Sequence, residues 1–152
     1  WNLVGAGLFG FLMNTPIALY FMQGLNLTPL HGHTALFGVY GMLGLGLMLF
    51  CLRGLRPRQE WRTSLLRGSF WTMNIGLSLM ALLTLLPLGV LQLSAAIGNG
   101  YWFARSEHFM NQAVVHLLVW LRVPGDTLFA IGAVLLAVFV GRLWLTREPP
   151  RD

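Results

Sequence analysis

No Asp, Glu, Lys or Arg precedes Arg53, and a second charge-free stretch covers residues 68–104. Each is longer than the roughly 20 apolar residues that a helix needs to cross a bilayer. In hydrocarbon every backbone N–H and C=O must be satisfied within the chain, so segments of this length and composition fold as helices. With 56% hydrophobic and 10% charged residues, a water-soluble domain of 152 residues would lack the polar side chains to cover its surface, whereas lipid solvates such a surface directly. A secretory signal peptide is a poor alternative reading of the first apolar segment, because no basic region precedes it and such segments recur along the whole chain. The expected fold class is all-α, an integral membrane helical bundle. Trp1 already lies inside an apolar segment, so residues 1–152 read as the C-terminal fragment of one longer membrane domain.

Turn-forming residues divide the chain into four expected transmembrane helices, at about 1–22, 29–52, 65–93 and 124–146. Asn14-Thr15-Pro16 should kink the first and free backbone carbonyls. Thr28 can cap the second, with Pro29 at its first position. The third is long enough to require tilt or to project beyond the bilayer. Residues 98–123 are mixed in character, and Phe109, Val114, Leu117, Leu118 and Leu121 could form the apolar face of a helix lying at the membrane interface.

Charge gives the orientation. Arg53, Arg56, Arg58, Arg62 and Arg67 stand against one Glu60 after the second span, and Arg142, Arg147 and Arg151 follow in the tail. The opposite loops carry only Arg105 and Arg122, so both basic regions are expected on the cytoplasmic side of the membrane, with His31 and His33 toward the outer face. This topology signal accounts for the net charge of +5 without nucleic-acid binding.

Within this frame the residues that invite chemistry are His31 and His33, at the outer end of the second span. Successive helical residues turn by about 100°, so these two point about 200° apart and cannot share one metal ion. Two separate centres are implied, one on each flank. A single histidine near an interface commonly reaches for headgroups, but with two on opposite faces at least one must face protein. The His31 face continues through Ala35 and Gly38 and the His33 face through Phe37 and Tyr40, so one flank is flat and the other aromatic. A planar ligand could lie against each, while Gly41, Gly44 and Gly46 fit close helix packing.

The run Thr28-Pro-Leu-His-Gly-His-Thr-Ala-Leu-Phe-Gly-Val-Tyr-Gly-Met-Leu43, continuing to Cys51-Leu52-Arg53, resembles the respiratory nitric oxide reductases of the haem-copper oxidase superfamily, most of all their quinol-oxidising single-chain type. Trp1-Asn-Leu-Val-Gly-Ala-Gly-Leu-Phe-Gly10, Gly100-Tyr-Trp-Phe-Ala-Arg-Ser106 and Leu121-Arg-Val-Pro-Gly-Asp126 are similar to the same family. The resemblance covers nearly the whole chain and corresponds to the last four helices of the catalytic subunit.

It implies that His31 is the proximal ligand of the high-spin haem b3 and the catalytic residue of this chain, and that His33 is an axial ligand of the low-spin haem b. In that family electrons pass through haem b to a centre of haem b3 and a non-haem iron, where two NO become N2O and water. The ligands of the non-haem iron and the second ligand of haem b lie on helices that this chain does not contain. The implied partners are those remaining helices, a quinol or cytochrome c as electron donor, the lipid bilayer and, in some members, a second copy as a homodimer.

Other polar residues carry less. Arg105 and Arg122 lie at the level where haem propionates need cations, although Glu107 and Asp126 could equally pair with them. Asn74 and Ser78 suit helix–helix hydrogen bonding, and His108 and His116 suit a surface. Cys51, alone in the chain, suits packing. Two other classes stay open from the residues themselves: an oxygen-reducing haem-copper oxidase, and a non-redox transporter or structural bundle.

Overall fold

The computed structural model describes residues 1–57, 59–61 and 63–146, and Arg58, Arg62, Arg147 and Arg151 of the orientation signal lie outside these described residues. The described residues form helices α1 (Asn2–Asn14), α2 (Pro16–Met22), α3 (Leu27–Leu55), α4 (Thr63–Asn99), α5 (Glu107–Met110) and α6 (Ala113–Leu145), with no strand among them. Helices α3, α4 and α6 are each long and apolar enough to cross a membrane, and α1 with α2 would make a fourth crossing if that bent pair is one span.

The break between α1 and α2 bends the chain by 97°. Its cause is local. Thr15 precedes Pro16 and is driven to φ −63°, ψ 134°, outside the helical region. The Thr15 hydroxyl then donates at 3.2 Å to the Leu12 carbonyl, which Pro16 cannot serve, and the Asn14 side-chain amide donates to the Gly10 carbonyl at 2.6 Å.

Two expected boundaries move. Helix α3 starts at Leu27, before the expected Pro29, and Thr28 does not cap it. Instead the Thr28 hydroxyl accepts from the Gly24 amide at 3.0 Å and donates to the Met22 carbonyl at 3.2 Å, closing the α2–α3 turn. Gly24 takes φ +75° in that turn, a conformation that a side chain would strain. Residues 113–123, expected as part of an interfacial segment, run directly into the last span as the start of α6. Pro124 removes only its own bond to the Trp120 carbonyl, and Leu121 stays in the right-handed helical region at φ −64°, ψ −7°, so the helix continues past it.

Helices α4 and α6 pack with backbone almost touching backbone. A Cβ at Gly76 would lie 2.6 Å from the Phe129 amide nitrogen, and one at Gly125 would lie 2.9 Å from the Gly76 carbonyl. Ser69, buried between them, donates to the Gly132 carbonyl at 2.8 Å. Without a hydrophobic driving force between helices in lipid, such small-residue seams supply the dispersion and polar contacts that hold spans together. Large apolar side chains including Leu3, Phe11, Phe50, Leu82 and Leu145 remain exposed on the outside of the bundle.

Three segments are wound with i→i+5 bonds: Asn2–Leu8, Leu36–Gly41 and Met80–Leu85. The second follows the two histidines directly, and the other two lie on helices packed against that region.

Candidate functional site

His31 and His33 sit in the second turn of α3 and open onto different pockets. The His31 pocket, about 450 Å³, is walled by Ala6, Gly10, Phe11, Asn14, Thr15 and Pro16. The helix break therefore forms part of its wall. The His33 pocket, about 230 Å³, is bounded by Phe37, Met80, Arg122, Asp126, Phe129 and Ala130 from α3, α4 and α6. The two-sided arrangement expected from the spacing is thus the arrangement of the fold.

Each ring is held by its Nδ1. His31 Nδ1 lies 3.0 Å from the Gly5 carbonyl oxygen, and His33 Nδ1 lies 2.7 Å from the Pro29 carbonyl oxygen one turn back. A carbonyl can only accept, so Nδ1 carries the hydrogen in both rings, and in the neutral form of each ring Nε2 keeps its lone pair. Anchoring one ring nitrogen on a carbonyl fixes ring orientation and turns the other toward its pocket, where His31 Nε2 could take a metal and His33 Nε2 meets Arg122. Among the described residues no group of three or more His, Cys, Asp or Glu could hold a metal ion. One imidazole per pocket suits a metal whose other positions are filled by a cofactor or by residues outside this chain.

Around His31 the fit depends on residues without side chains. Gly5 packs so closely on buried Thr34 that an added Cβ would stand 2.5 Å from the Thr34 Cβ. At Gly10 an added Cβ would stand 2.9 Å from Cε1 of the His31 ring. Thr34 in turn donates to the Leu30 and His31 carbonyls at 2.8 and 3.1 Å. These three positioning residues are not apparent from the histidine pattern. A signal was present in the glycines of the first span, but it does not by itself say what they approach.

On the other flank His33 stacks at a tilt on Phe37, with centroids 5.6 Å apart, and Phe37 meets Phe129 at 5.5 Å. The Arg122 guanidinium donates to His33 Nε2 at 3.2 Å and pairs with Asp126, Nε to Oδ2 at 3.0 Å. Arg122 therefore joins the His33 pocket and takes Asp126 as its partner. Arg105 goes elsewhere. It bonds the Gly24 carbonyl and lies over the Tyr101 ring at 5.2 Å, while the Tyr101 hydroxyl donates to the Gln23 carbonyl at 2.6 Å. This arrangement clamps the α2–α3 turn, and no ion pair with Glu107 occurs among the described residues.

The expected face assignments hold in part. Gly38 lies against the Trp1 indole, where an added Cβ would stand 2.8 Å from the ring, and Tyr40 is exposed. The i→i+5 winding of Leu36–Gly41 shifts side chains away from a regular 100° spacing. Asn74 accepts from the Trp1 indole N–H at 2.8 Å, Ser78 bonds the Asn74 carbonyl, and His108 and His116 are exposed.

Gln92 belongs to no motif in the sequence, yet it organises one end of the bundle. Only 5% exposed, it accepts at 2.8 Å from both the backbone amide and the side-chain amide of Asn26, and donates to the Ala104 carbonyl at 3.3 Å. It ties the start of the histidine helix to α4 and to the loop beyond it.

Comparison with known proteins agrees with this architecture. Residues 1–128 match the family described as cytochrome c and quinol oxidase polypeptide I. The chain is also 30% identical over 142 residues to a nitric oxide reductase subunit of Stutzerimonas stutzeri, an alignment covering 86% of this chain and 28% of that protein. It thus spans little more than a quarter of the length of the curated relative it matches. With its helices, its two separated histidine pockets and the match over most of its length, the chain belongs to the cytochrome c and quinol oxidase polypeptide I family of the haem-copper oxidase superfamily, similar there to a nitric oxide reductase subunit.

Proposed function

We propose that this chain forms the part of a nitric oxide reductase that holds two haems, with His31 as proximal ligand of a high-spin haem b3 and His33 as an axial ligand of a low-spin haem b. One observation carries the reading: two imidazoles on one helix, each with Nδ1 fixed on a backbone carbonyl, border separate pockets on opposite flanks. The donor set fits such groups, because a haem brings four ligands of its own and asks the protein for one or two axial nitrogens. When bound, the haems together with a non-haem iron ligated outside this chain would supply the electron transfer and NO coupling that convert two NO to N2O and water.

The chain's own residues do the holding. Gly5 and Pro29 carbonyls orient the rings, while Gly10 leaves the His31 ring room. Arg122 would leave His33 Nε2 and neutralise a haem propionate, and Arg105, at the same end of the bundle, would do so only by giving up its hold on the Gly24 carbonyl and the Tyr101 ring. Electrons would arrive from a quinol or cytochrome c through partner helices or a partner protein. The basic end would face the cytoplasm and the histidines the periplasmic side of the inner membrane.

Optical spectra of the complete protein, reduced with and without CO, test this in wild type, His31→Ala and His33→Ala. His31→Ala should lose the CO-responsive high-spin signal and His33→Ala the low-spin band. Unchanged spectra in both would sink the ligand assignment. Turnover of NO and of O2 by the same preparation separates NO reduction from oxygen reduction.

A further inference from the structure

At the opposite end of the bundle from the histidines, the C-terminal ends of α3 and α6 meet the connection between α3 and α4. The Gln59 side chain, 6% exposed, donates to the Thr146 carbonyl at 2.5 Å, and the Gln59 carbonyl accepts from Arg53 at 3.2 Å. Two guanidinium groups are stacked there on indoles of different segments. Arg53 lies 5.2 Å over Trp61, and Arg56 lies 5.1 Å over Trp144. Stacking restrains each planar fork; one N–H of Arg53 is taken by the Gln59 carbonyl, and the remaining N–H groups of both forks stay available. Among the described residues the ion pair Arg122–Asp126 is at the other end, and neither Arg53 nor Arg56 has a carboxylate partner.

From this geometry we propose that Arg53 and Arg56, backed by Trp61 and Trp144, form a binding site for the phosphate headgroup of an anionic phospholipid. Topology signalling requires only that arginines be present near the span ends, not that they be stacked on indoles across three segments. Two restrained guanidinium forks with no carboxylate partner among the described residues suit the paired oxygens of a phosphodiester. Lipid is favoured over a free anion because the site lies at the end of membrane-crossing helices, with Trp144 and Leu145 57% and 87% exposed beside it. Indoles at this level also suit the headgroup layer, and basic pockets between helix ends are a recurrent place for anionic lipid.

Native mass spectrometry of the complete protein, released from nanodiscs of mixed phosphatidylglycerol and phosphatidylcholine, tests the site. Wild type should retain phosphatidylglycerol in preference to phosphatidylcholine. The double variant R53Q/R56Q should lose about thirtyfold of that preference, at about 1 kcal/mol for each arginine at the surface. R53K/R56K should fall between, because lysine keeps charge but not the stacked fork. An unchanged haem spectrum in the variants verifies that the fold is intact. Equal retention by wild type and R53Q/R56Q overturns the proposal and leaves the patch to a protein contact. Displacement of the lipid by equimolar inorganic phosphate overturns it as well, in favour of a general anion site.

Discussion

The carbonyl oxygen of Gly5 lies 3.0 Å from Nδ1 of His31, and this contact makes α1 part of the histidine site. It exists because Gly5 presses its backbone onto Thr34, one turn beyond His31 on α3. An Ala at position 5 cannot occupy that space without moving Thr34 or α1. Gly5→Ala should therefore lower the stability of the complete protein by about 1–3 kcal/mol, the usual cost of overpacking. If His31 holds a high-spin haem as proposed, the variant should also alter the CO-difference spectrum, since the His31 ring loses its anchor, while leaving any low-spin band in place. A variant with wild-type thermal midpoint and spectrum would show that the contact does not position the ring.

Gln92 is the second positioning residue, acting on the start of α3 rather than on a ring. Gln92→Leu keeps the volume but strands the Asn26 amide, its side chain and the Ala104 carbonyl. Leaving buried polar groups unpaired costs about 1–3 kcal/mol, so thermal unfolding should shift down by that amount. Gln92→Glu, protonated where it is buried, keeps the acceptor for Asn26 and an O–H donor for Ala104, so it should lose less. A loss as large in Gln92→Glu as in Gln92→Leu would show that these bonds do not carry the effect.

These two residues show where the sequence was legible and where it was not. The helical class follows from charge-free length alone, and the two-sided histidine geometry follows from a spacing of two on a helix. Both depend on local periodicity. By contrast, Gly5 meets His31 across 26 positions and Gln92 meets Asn26 across 66, and Gly10 reaches the His31 ring from the same distant segment as Gly5. No local pattern encodes such relations. The division between an interfacial segment and the last span failed to appear for a related reason. A proline inside a helix removes one hydrogen bond, and the sequence does not say whether the turns before it stay aligned with those after it.

Arg122 and Asp126 form a half-exposed pair, with side-chain exposures of 39% and 47%. Such a pair contributes less than about 1 kcal/mol, so Asp126→Asn should hardly change stability. Its electrostatic effect on the His33 pocket should be larger. If His33 holds a haem, removing a nearby negative charge favours the reduced, less positive form, and the midpoint potential of the low-spin haem should rise. A redox titration reads this directly, and a potential that falls or stays constant would exclude Asp126 as a charge felt at that site.

The seam between α4 and α6 gives a purely structural expectation. Gly76→Ala would bring a Cβ to 2.6 Å from the Phe129 amide nitrogen, and Gly125→Ala would bring one to 2.9 Å from the Gly76 carbonyl. Backbone cannot rotate away as a side chain can, so each should cost about 1–3 kcal/mol. The double variant should cost less than the sum, because separating the helices once relieves both clashes. Gly141→Ala on the same helix meets nothing within 4 Å and should be neutral or slightly stabilising through helix propensity. Thermal midpoints of the four proteins would decide it, and full additivity of the two seam variants would mean that the helices yield locally.

Thr84 is 2% exposed and its hydroxyl has no hydrogen-bond partner among the described residues. Thr34 and Thr72, in regularly wound helix, donate to the carbonyl four residues back at 2.8 Å, the usual arrangement in an apolar surrounding. Thr84 lies in the i→i+5 segment Met80–Leu85, where widening of the turn carries that carbonyl out of reach. Its hydroxyl therefore bears a desolvation cost without a compensating bond. Thr84→Val preserves the shape and removes that cost, and it should leave stability unchanged or raise it by up to about 1–3 kcal/mol. Thr34→Val removes a made bond and should instead lower stability by about 1 kcal/mol. Opposite signs in the two thermal shifts would tie the difference to winding. If Thr84→Val destabilises as Thr34→Val does, the hydroxyl is bonded to a group such as an internal water, and the i→i+5 segment is where that group should be sought.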